Sequence, residues 1–449
     1  MTTFAAAANA PLSPGLQGVI ARALNPVHGL LTNLREDRPS RQAGNIRIVR
    51  AALAPPAYFR ANTPSAVQTI EDGCGAAFDR ESAYWAAIGE AAERYAASIY
   101  WPEDLLHATA DELAEQAIDL TPLIRIGRPE VEAFDPSTPR AWQLGRRIVS
   151  GTPVQVPAML CFLGYRTSHP GEIIAQSDST GLACGVSAED ATLRALCELI
   201  ERDAFAANWL LNRKAPRIAW NSKDVVGLAP AVQSALLDDE HPIRLLYLAQ
   251  SFGVHVVAAF VRGERGLYSL AAAASPSIGR AVEKAVAELL QGWSAVNAFP
   301  ELEAPLDLAD LKTPFDHLRY YLHPERVGIV DDLFCGDGTV DLGELGTSDQ
   351  RALTASTLTA STLTASTLAA STLAGNLNAA GLDAVAIDHT TPDIAELGLT
   401  VCRVVAPGLH PIVFGPHSLS VPDSRRLDQW RELWGLPAAP FNPNPHPFP

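Results

Sequence analysis

Residues 177–202 read SDSTGLACGVSAEDATLRALCELIER. The stretch opens as a Ser/Gly-rich turn at 177–185 and then turns helical. Ser187, followed by Glu189 and Asp190, marks the helix start, because a serine cap and early acidic side chains satisfy free N–H groups. Further on stand Glu198, Glu201 and Arg202, at i, i+3 and i+4 on one helix face. The same Glu-x-x-Glu-Arg pattern recurs as Glu90, Glu93 and Arg94 in AAIGEAAERYAA. Carboxylate oxygens suit Mg2+, and arginine forks suit phosphate. Two such faces brought together outline a nucleotide site that lacks the usual glycine-rich loop.

Taken alone, Glu-x-x-Glu-Arg usually describes a solvated face with an ion pair worth a few tenths of a kcal/mol. Here Ala86, Ala87, Ala91, Leu196, Leu199 and Ile200 flank the charges. Charged groups among apolar neighbours are costly unless paired or bound to metal, so the pattern points to a site. A third unit, LYSLAAAASPSIGRAVEKAVAELLQGWSAV at 267–296, repeats strand, small-residue turn and helix. Its helix places Lys284, Glu288 and Gln291 on a shared face. Three such units predict an α/β or α+β protein with internal duplication, built of mixed sheets flanked by helices. Helix N-termini at two of the turns would add N–H donors for phosphate.

Around these units, the pattern predicts a strand from Ile46 and then a Pro-broken loop to Tyr58. GCG at 73–75 reads as a turn, followed by a helix over about 81–99. The segment 144–165 reads as strand, turn and strand, and 243–263 supplies two more strands. Strand-like patterns return at 381–390 and 399–415. Residues 1–25, rich in Ala and Pro, read as a loose tail. Residues 353–374, LTASTLTASTLTASTLAASTLA, repeat with period five. That period advances a helix by roughly 140° beyond a turn, so the leucines form no stripe; it matches no strand either. It reads as an inserted surface loop or the extended lead-in to a helix.

The chain has 449 residues, 47% of them hydrophobic, with 34 basic against 50 acidic side chains and a net charge of -16. That balance argues against nucleic acid and anionic membranes as general partners. No apolar run long enough to span a bilayer stands out, and no signal sequence opens the chain, so a cytoplasmic location is expected. The cysteines at 74, 161, 184, 197, 335 and 402 form no Cys-x-x-Cys pair, which disfavours a zinc knuckle and fits reduced, mostly buried thiols. The chain ends FNPNPHPFP, with Pro443, Pro445, Pro447 and Pro449 alternating. Such a segment favours an extended path, with Phe441 and Phe448 as apolar anchors.

The stretch 177–209 resembles the central signature of the YcaO family, the GCG turn with SAYWAAIGEAAERYAA resembles its first ATP motif, and SPSIGRAVEKAVAELLQ resembles its third. The resemblance runs over roughly 66–449. It implies a YcaO-type α/β fold and an enzyme that uses ATP and Mg2+ to phosphorylate peptide amide oxygens. On the matching positions, Glu90, Glu93, Glu198, Glu201 and Glu288 would bind Mg2+. Arg94 and Arg202 would hold phosphates, and Ser177, Thr180, Lys284 and Gln291 would lie along the nucleotide. Three positions depart from the family pattern: Cys74 where Lys is frequent, Lys284 where Arg is frequent, and Thr180 where Asn is frequent.

The Pro443-x-Pro445-x-Pro447 ending resembles that of the azoline-forming cyclodehydratases of thiazole/oxazole-modified microcin pathways. That subclass converts Cys, Ser or Thr of a ribosomal precursor peptide to thiazoline or (methyl)oxazoline. The terminal carboxylate of Pro449 is the implied proton acceptor. The implied partners are a precursor peptide, a separate leader-peptide-binding protein of E1-like or ocin-ThiF-like type, and a flavin-dependent azoline dehydrogenase; a homodimer is left open. Thioamide- or amidine-forming relatives and a catalytically silent scaffold are the alternatives. The expected organisation is an N-terminal tail and lead-in over 1–65, a catalytic domain over 66–430 carrying the repeat insert at 353–374, and a Pro-rich tail over 431–449.

Overall fold

The computed structural model describes residues 11–39, 43–54, 72–124, 131, 133–221, 228–263, 267–298, 306–346, 362–416 and 424–448, with backbone only for 362–368. The principal helices are α1 (Pro14–Ala23), α2 (Arg80–Ala97), α3 (Ala188–Leu210), α4 (Ile278–Ala298), α5 (Pro314–Tyr321), α6 (Pro324–Leu333), α7 (Thr362–Ala379) and α8 (Arg425–Trp434). The strands form three sheets. The first joins β1 (Leu31–Asp37), β2 (Arg47–Leu53) and β3 (Gly73–Ala77), all antiparallel. The second runs β11 (Tyr268–Ser275), β10 (Val254–Arg262), β9 (Arg244–Ser251), β8 (Arg217–Ala219) and β12 (Thr339–Asp341). Its β8–β12 pair is parallel and the rest antiparallel. The third runs β4 (Leu106–Ala108), β5 (Arg140–Arg147), β13 (Val385–Asp388), β14 (Thr400–Val405) and β7 (Leu182–Gly185), with β6 (Pro153–Pro157) paired to β5. This is a mixed α+β architecture, with the sheets flanked by helices.

The three sequence units become β3–α2, β7–α3 and β11–α4, each helix packed on its own strand. Helix α3 lies between the second and third sheets, touching β11, β9 and β10 on one side and β14 and β7 on the other. This explains why it is apolar around most of its circumference: Ala195, Leu196, Ile200, Ala204, Phe205 and Ala207 are all buried. Strand β11 is buried on both faces. Leu270, Ala272 and Ala274 join the core around α3, while Ala271 and Ala273 face α4, as a period of two dictates. Its run of alanines allows a helix to approach closely on each side.

Several expectations are corrected. GCG at 73–75 is not a turn but strand β3. A Cβ on Gly73 would stand 2.4 Å from Ala87 O, and one on Gly75 2.2 Å from Ala87 N. The glycines are there so that a strand can lie directly against helix α2, and glycine as a turn former misled the sequence reading. Residues 177–185 are a turn only as far as Gly181, with 182–185 pairing β14 as β7. Residues 14–23 are not a loose tail, because α1 is capped by Ser13 and buries Leu16, Val19 and Ala23 against the α2 cluster. The end of the repeat is not a loop or extended lead-in: α7 carries it, and Ala370, Leu373, Ala374 and Leu377 are buried against the α3 core. The boundary expected at 65/66 lies outside the described residues, and the one at 430/431 falls inside α8.

Candidate nucleotide and cation site

The first acidic pair sits on α2. Glu90 accepts the N–H of Cys74 at 2.7 Å and pairs with Arg94 at 3.2 Å. Glu93 accepts the N–H of Cys184, on β7, at 2.7 Å. The second pair sits on α3. Glu198 pairs with Arg202 through Nε and Nη2, both at 3.0 Å, and Glu201 accepts the N–H of Ala274, on β11, at 3.0 Å. Thus a backbone N–H from each unit's strand fixes a carboxylate of a helix, and these bonds tie the three sheets to one centre.

Helix α4 closes the group. Lys284 Nζ lies 3.9 Å from Glu201 and 3.6 Å from Glu288. Gln291 donates to Cys74 Sγ at 3.1 Å. Side-chain exposure rises from 6% at Glu201 through 21% at Glu198 to 40% at Glu288 and 53% at Lys284, so the group opens to solvent on the α4 side. The sequence-predicted Glu90, Glu93, Glu198, Glu201, Glu288, Arg94, Arg202, Lys284 and Gln291 therefore meet in one place.

Electrostatics show how closely these groups interact. Burial pushes the Glu93 carboxyl up to about 8, with the charges of Glu90 and Glu198 adding to the rise. Burial also pushes Glu201 up to about 8, against the pull of Lys284 and with the push of Glu288 and Glu198. Glu288 rises through desolvation while Lys284 holds it back. The ammonium of Lys284 is in turn raised, mainly by Glu288. A field that makes carboxyl groups retain protons is one that a divalent cation relieves. The oxygen-only donor set suits a hard cation such as Mg2+, and Arg94 and Arg202 at its edge suit phosphate oxygens. Among the described residues, no three acidic, His or Cys side chains are drawn close enough to hold a metal as they stand; backbone N–H groups and basic side chains hold the carboxylates instead.

Ser177 and Thr180 lie on the turn before β7. Ser177 Oγ donates to Phe162 O at 3.3 Å, and Thr180 N–H donates to Asp178 at 2.8 Å. Thr180 Oγ1 is buried without a partner. Two residues absent from the sequence reading belong here. Arg403, 6% exposed on β14, stands 3.8 Å from Asp178 and leaves Nη1 without a hydrogen bond. An arginine inside VCRVV, otherwise apolar, was the available signal. Asp203, fully buried, accepts from Arg426 Nη2 at 2.6 Å, from Trp430 Nε1 at 3.1 Å and from His410 N–H at 2.8 Å. Its partners are more than two hundred residues away in the chain, so no local pattern could show them.

The C-terminal segment runs extended after α8 and buries His446 and Phe448. Phe448 lies against Phe205 with ring centroids 4.6 Å apart, and the Arg202 guanidinium stands 5.9 Å over its ring. At Phe448 the tail thus lies beside an arginine of the acidic group. Pro443, Pro445 and Pro447 lie on this path; Pro449 falls outside the described residues.

Fold and site together define an α+β class of protein whose carboxylate-lined centre fits a divalent cation and a polyphosphate. Comparison with known proteins places it further. A family model described as YcaO cyclodehydratase, ATP- and Mg2+-binding, matches residues 74–410, and the chain belongs to the YcaO family. The family's cofactors are ATP and Mg2+. A curated relative, an uncharacterized protein in the tfuA 3' region of Rhizobium leguminosarum bv. trifolii, is 37% identical over 187 residues, 41% of this chain and 42% of that one. An uncharacterized protein of Methanothermobacter thermautotrophicus is 29% identical over 200 residues, 42% of this chain and 49% of that one. The chain spans about half the length of these curated relatives.

Among solved structures, a heterocyclase in complex with substrate and cofactor superposes with a TM-score of 0.74 at 20% identity, over 97% of this chain and 57% of that one. The YcaO protein of Methanopyrus kandleri, bound with AMPPCP and Mg2+, gives 0.64 at 20% identity, over 91% and 93%. The Escherichia coli microcin synthetase McbBCD complex with pro-MccB17 gives 0.53 at 17% identity, over 83% and 87%. At these identities the likeness is one of fold. Among the described residues, no helix is long and apolar enough to cross a membrane.

Proposed function

We propose that this chain is an ATP- and Mg2+-dependent peptide cyclodehydratase that forms azolines from Cys, Ser or Thr of a ribosomal precursor peptide. The observation that carries the reading is the course of the Pro-x-Pro-x-Pro segment, which ends with Phe448 beneath Arg202 of the acidic group. ATP would supply the phosphoryl group that turns an amide oxygen into a leaving group. In this reading Glu90, Glu93, Glu198, Glu201 and Glu288 hold Mg2+. Arg94, Arg202 and Lys284 neutralise phosphate charge, the main work of such a site. Ser177, Thr180 and Gln291 lie along the nucleotide, and the Pro449 carboxylate takes the proton released as the ring forms. A leader-binding protein on another chain presents the peptide, and a flavin-dependent dehydrogenase acts on the product.

Incubation with precursor peptide, partner and Mg·ATP should remove the mass of one water per ring. Full Mg·ATP binding with no such loss on any Cys-, Ser- or Thr-rich precursor would sink the proposal. Thioamide or amidine formation, with sulfide or an amine in place of the side chain, would show instead as incorporation of that nucleophile. A silent scaffold is favoured by one feature, the Lys284 ammonium set between Glu201 and Glu288 where a cation would sit. Calorimetry separates that reading: a scaffold binds Mg·ATP no better than its Glu201→Ala variant.

A further inference from the structure

A proline carries no N–H, so prolines at alternate positions leave one edge of the tail without donors for a sheet ladder. Its buried carbonyls nevertheless need donors. Residues 444–446 each find one, from side chains of two different helices. Trp209 Nε1, on α3, donates to Asn444 O at 2.9 Å. From α5, the Tyr321 hydroxyl donates to Pro445 O and His317 Nδ1 to His446 O, the latter at 2.9 Å. His317 Nε2 accepts the Gly415 N–H at 2.9 Å, which leaves Nδ1 as the protonated, donating nitrogen. The Tyr268 hydroxyl, bonded to Leu318 O at 3.2 Å, lies 3.5 Å from Pro447 O as well. At the head of the segment, Asn442 N–H donates to Leu210 O at 2.8 Å.

Carbonyls alone do not set a register, because a slip of one residue presents another carbonyl to every donor. Two side chains do. His446 stacks on His317 with centroids 4.2 Å apart and reaches Val413 O through Nε2 at 2.9 Å. Phe448 fills its place beside Phe205. A slip would lose both contacts. The linker before the segment, residues 437–440, is exposed and can absorb changes in length.

We propose that Trp209, His317 and Tyr321 are positioning residues that form a seat for the carbonyls of residues 444–446. His446 and Phe448 lock the register, so that Phe448 is held beside Arg202. The inference rests on the functional reading above, yet the seat is a statement about binding that can be tested without turnover.

The test uses the full-length chain with Mg·ATP and follows hydrogen exchange at the amides of Asn442, Asn444, His446 and Phe448. The His317→Phe/Tyr321→Phe double variant should speed this exchange by about tenfold or more, the loss of roughly two net hydrogen bonds. Mg·ATP affinity should stay within about twofold, since neither residue touches the acidic group. His317→Gln keeps one donor and one acceptor and should exchange more slowly than His317→Phe. With peptide and partner, the double variant should lose kcat while KM holds. A wild-type tail that exchanges as fast as the double variant overturns the proposal, as does a double variant with unchanged exchange. Accelerated exchange in a chain that never cyclises any peptide would uphold the seat while removing the functional reading.

Discussion

Glu201 shows what single residues decide. It is buried, held by the Ala274 N–H and pushed up to about 8. Glu201→Gln keeps the hydrogen-bonding shape and removes the titratable carboxyl. The folded chain should persist, and ATP-dependent turnover should fall by roughly 10²-fold or more, measured beside a thermal melt of both proteins. Gly75 decides something different. An added Cβ meets the backbone of α2 at 2.2 Å, and backbone yields less easily than a side chain. Gly75→Ala should destabilise by about 1–3 kcal/mol and loosen the Cys74 N–H contact to Glu90, visible as a lower denaturation midpoint and weaker Mg·ATP binding. The carboxylates were legible in the sequence because i, i+3, i+4 spacing on an apolar helix is a local signal. The role of Gly75 was not, since the atom that excludes a side chain belongs to another element.

At the scale of elements, α8 depends on one residue of α3. Asp203 accepts from Arg426, Trp430 and the His410 backbone, and Arg426 is itself nearly buried. Asp203→Ala leaves that guanidinium uncompensated, and a loss of about 3–5 kcal/mol is expected in urea denaturation. Because α8 leads into the tail, ring formation should suffer more than Mg·ATP binding. Helix α7 makes the opposite point. Its sequence is low in complexity, yet Leu373 is 2% exposed within the α3 core. Leu373→Ala should destabilise by about 2–5 kcal/mol. A period of five gave no amphipathic stripe to read, and only contact with α3 selects which residues of the repeat are buried.

For the molecule as a whole, the tail seat carries a pH dependence. Burial depresses both His317 and His446, with Asp316 opposing the shift at His317, and with His317 itself and Arg202 reinforcing it at His446. Both are neutral in the folded chain, and the unfolded chain binds their protons near the ordinary value of about 6.5. Their contribution is therefore complete above that pH and is lost as pH falls below it. The slope approaches about 1.4 kcal/mol per pH unit for each histidine. The raised carboxyls of Glu93, Glu201 and Glu288 carry the opposite slope over the same range, so the histidine contribution appears as a difference: between pH 7.5 and 5, urea denaturation of His317→Phe should show about one proton less of this slope than the wild type. His389, pushed down to about 4, and His410 behave alike and remain in both proteins.

The sequence by itself determined the three charged helices α2, α3 and α4 with the faces that carry their acidic side chains, and the extended character of the tail. Each follows from spacing or from the covalent limits of proline within a few residues. Only the tertiary structure decided that β3 lies against α2, that α1 and the end of the repeat belong to the core, and that Asp203 anchors α8. It alone brought the tail's carbonyls to donors on α3 and α5. In each case the partner lies far along the chain, and such a contact leaves no local period to read.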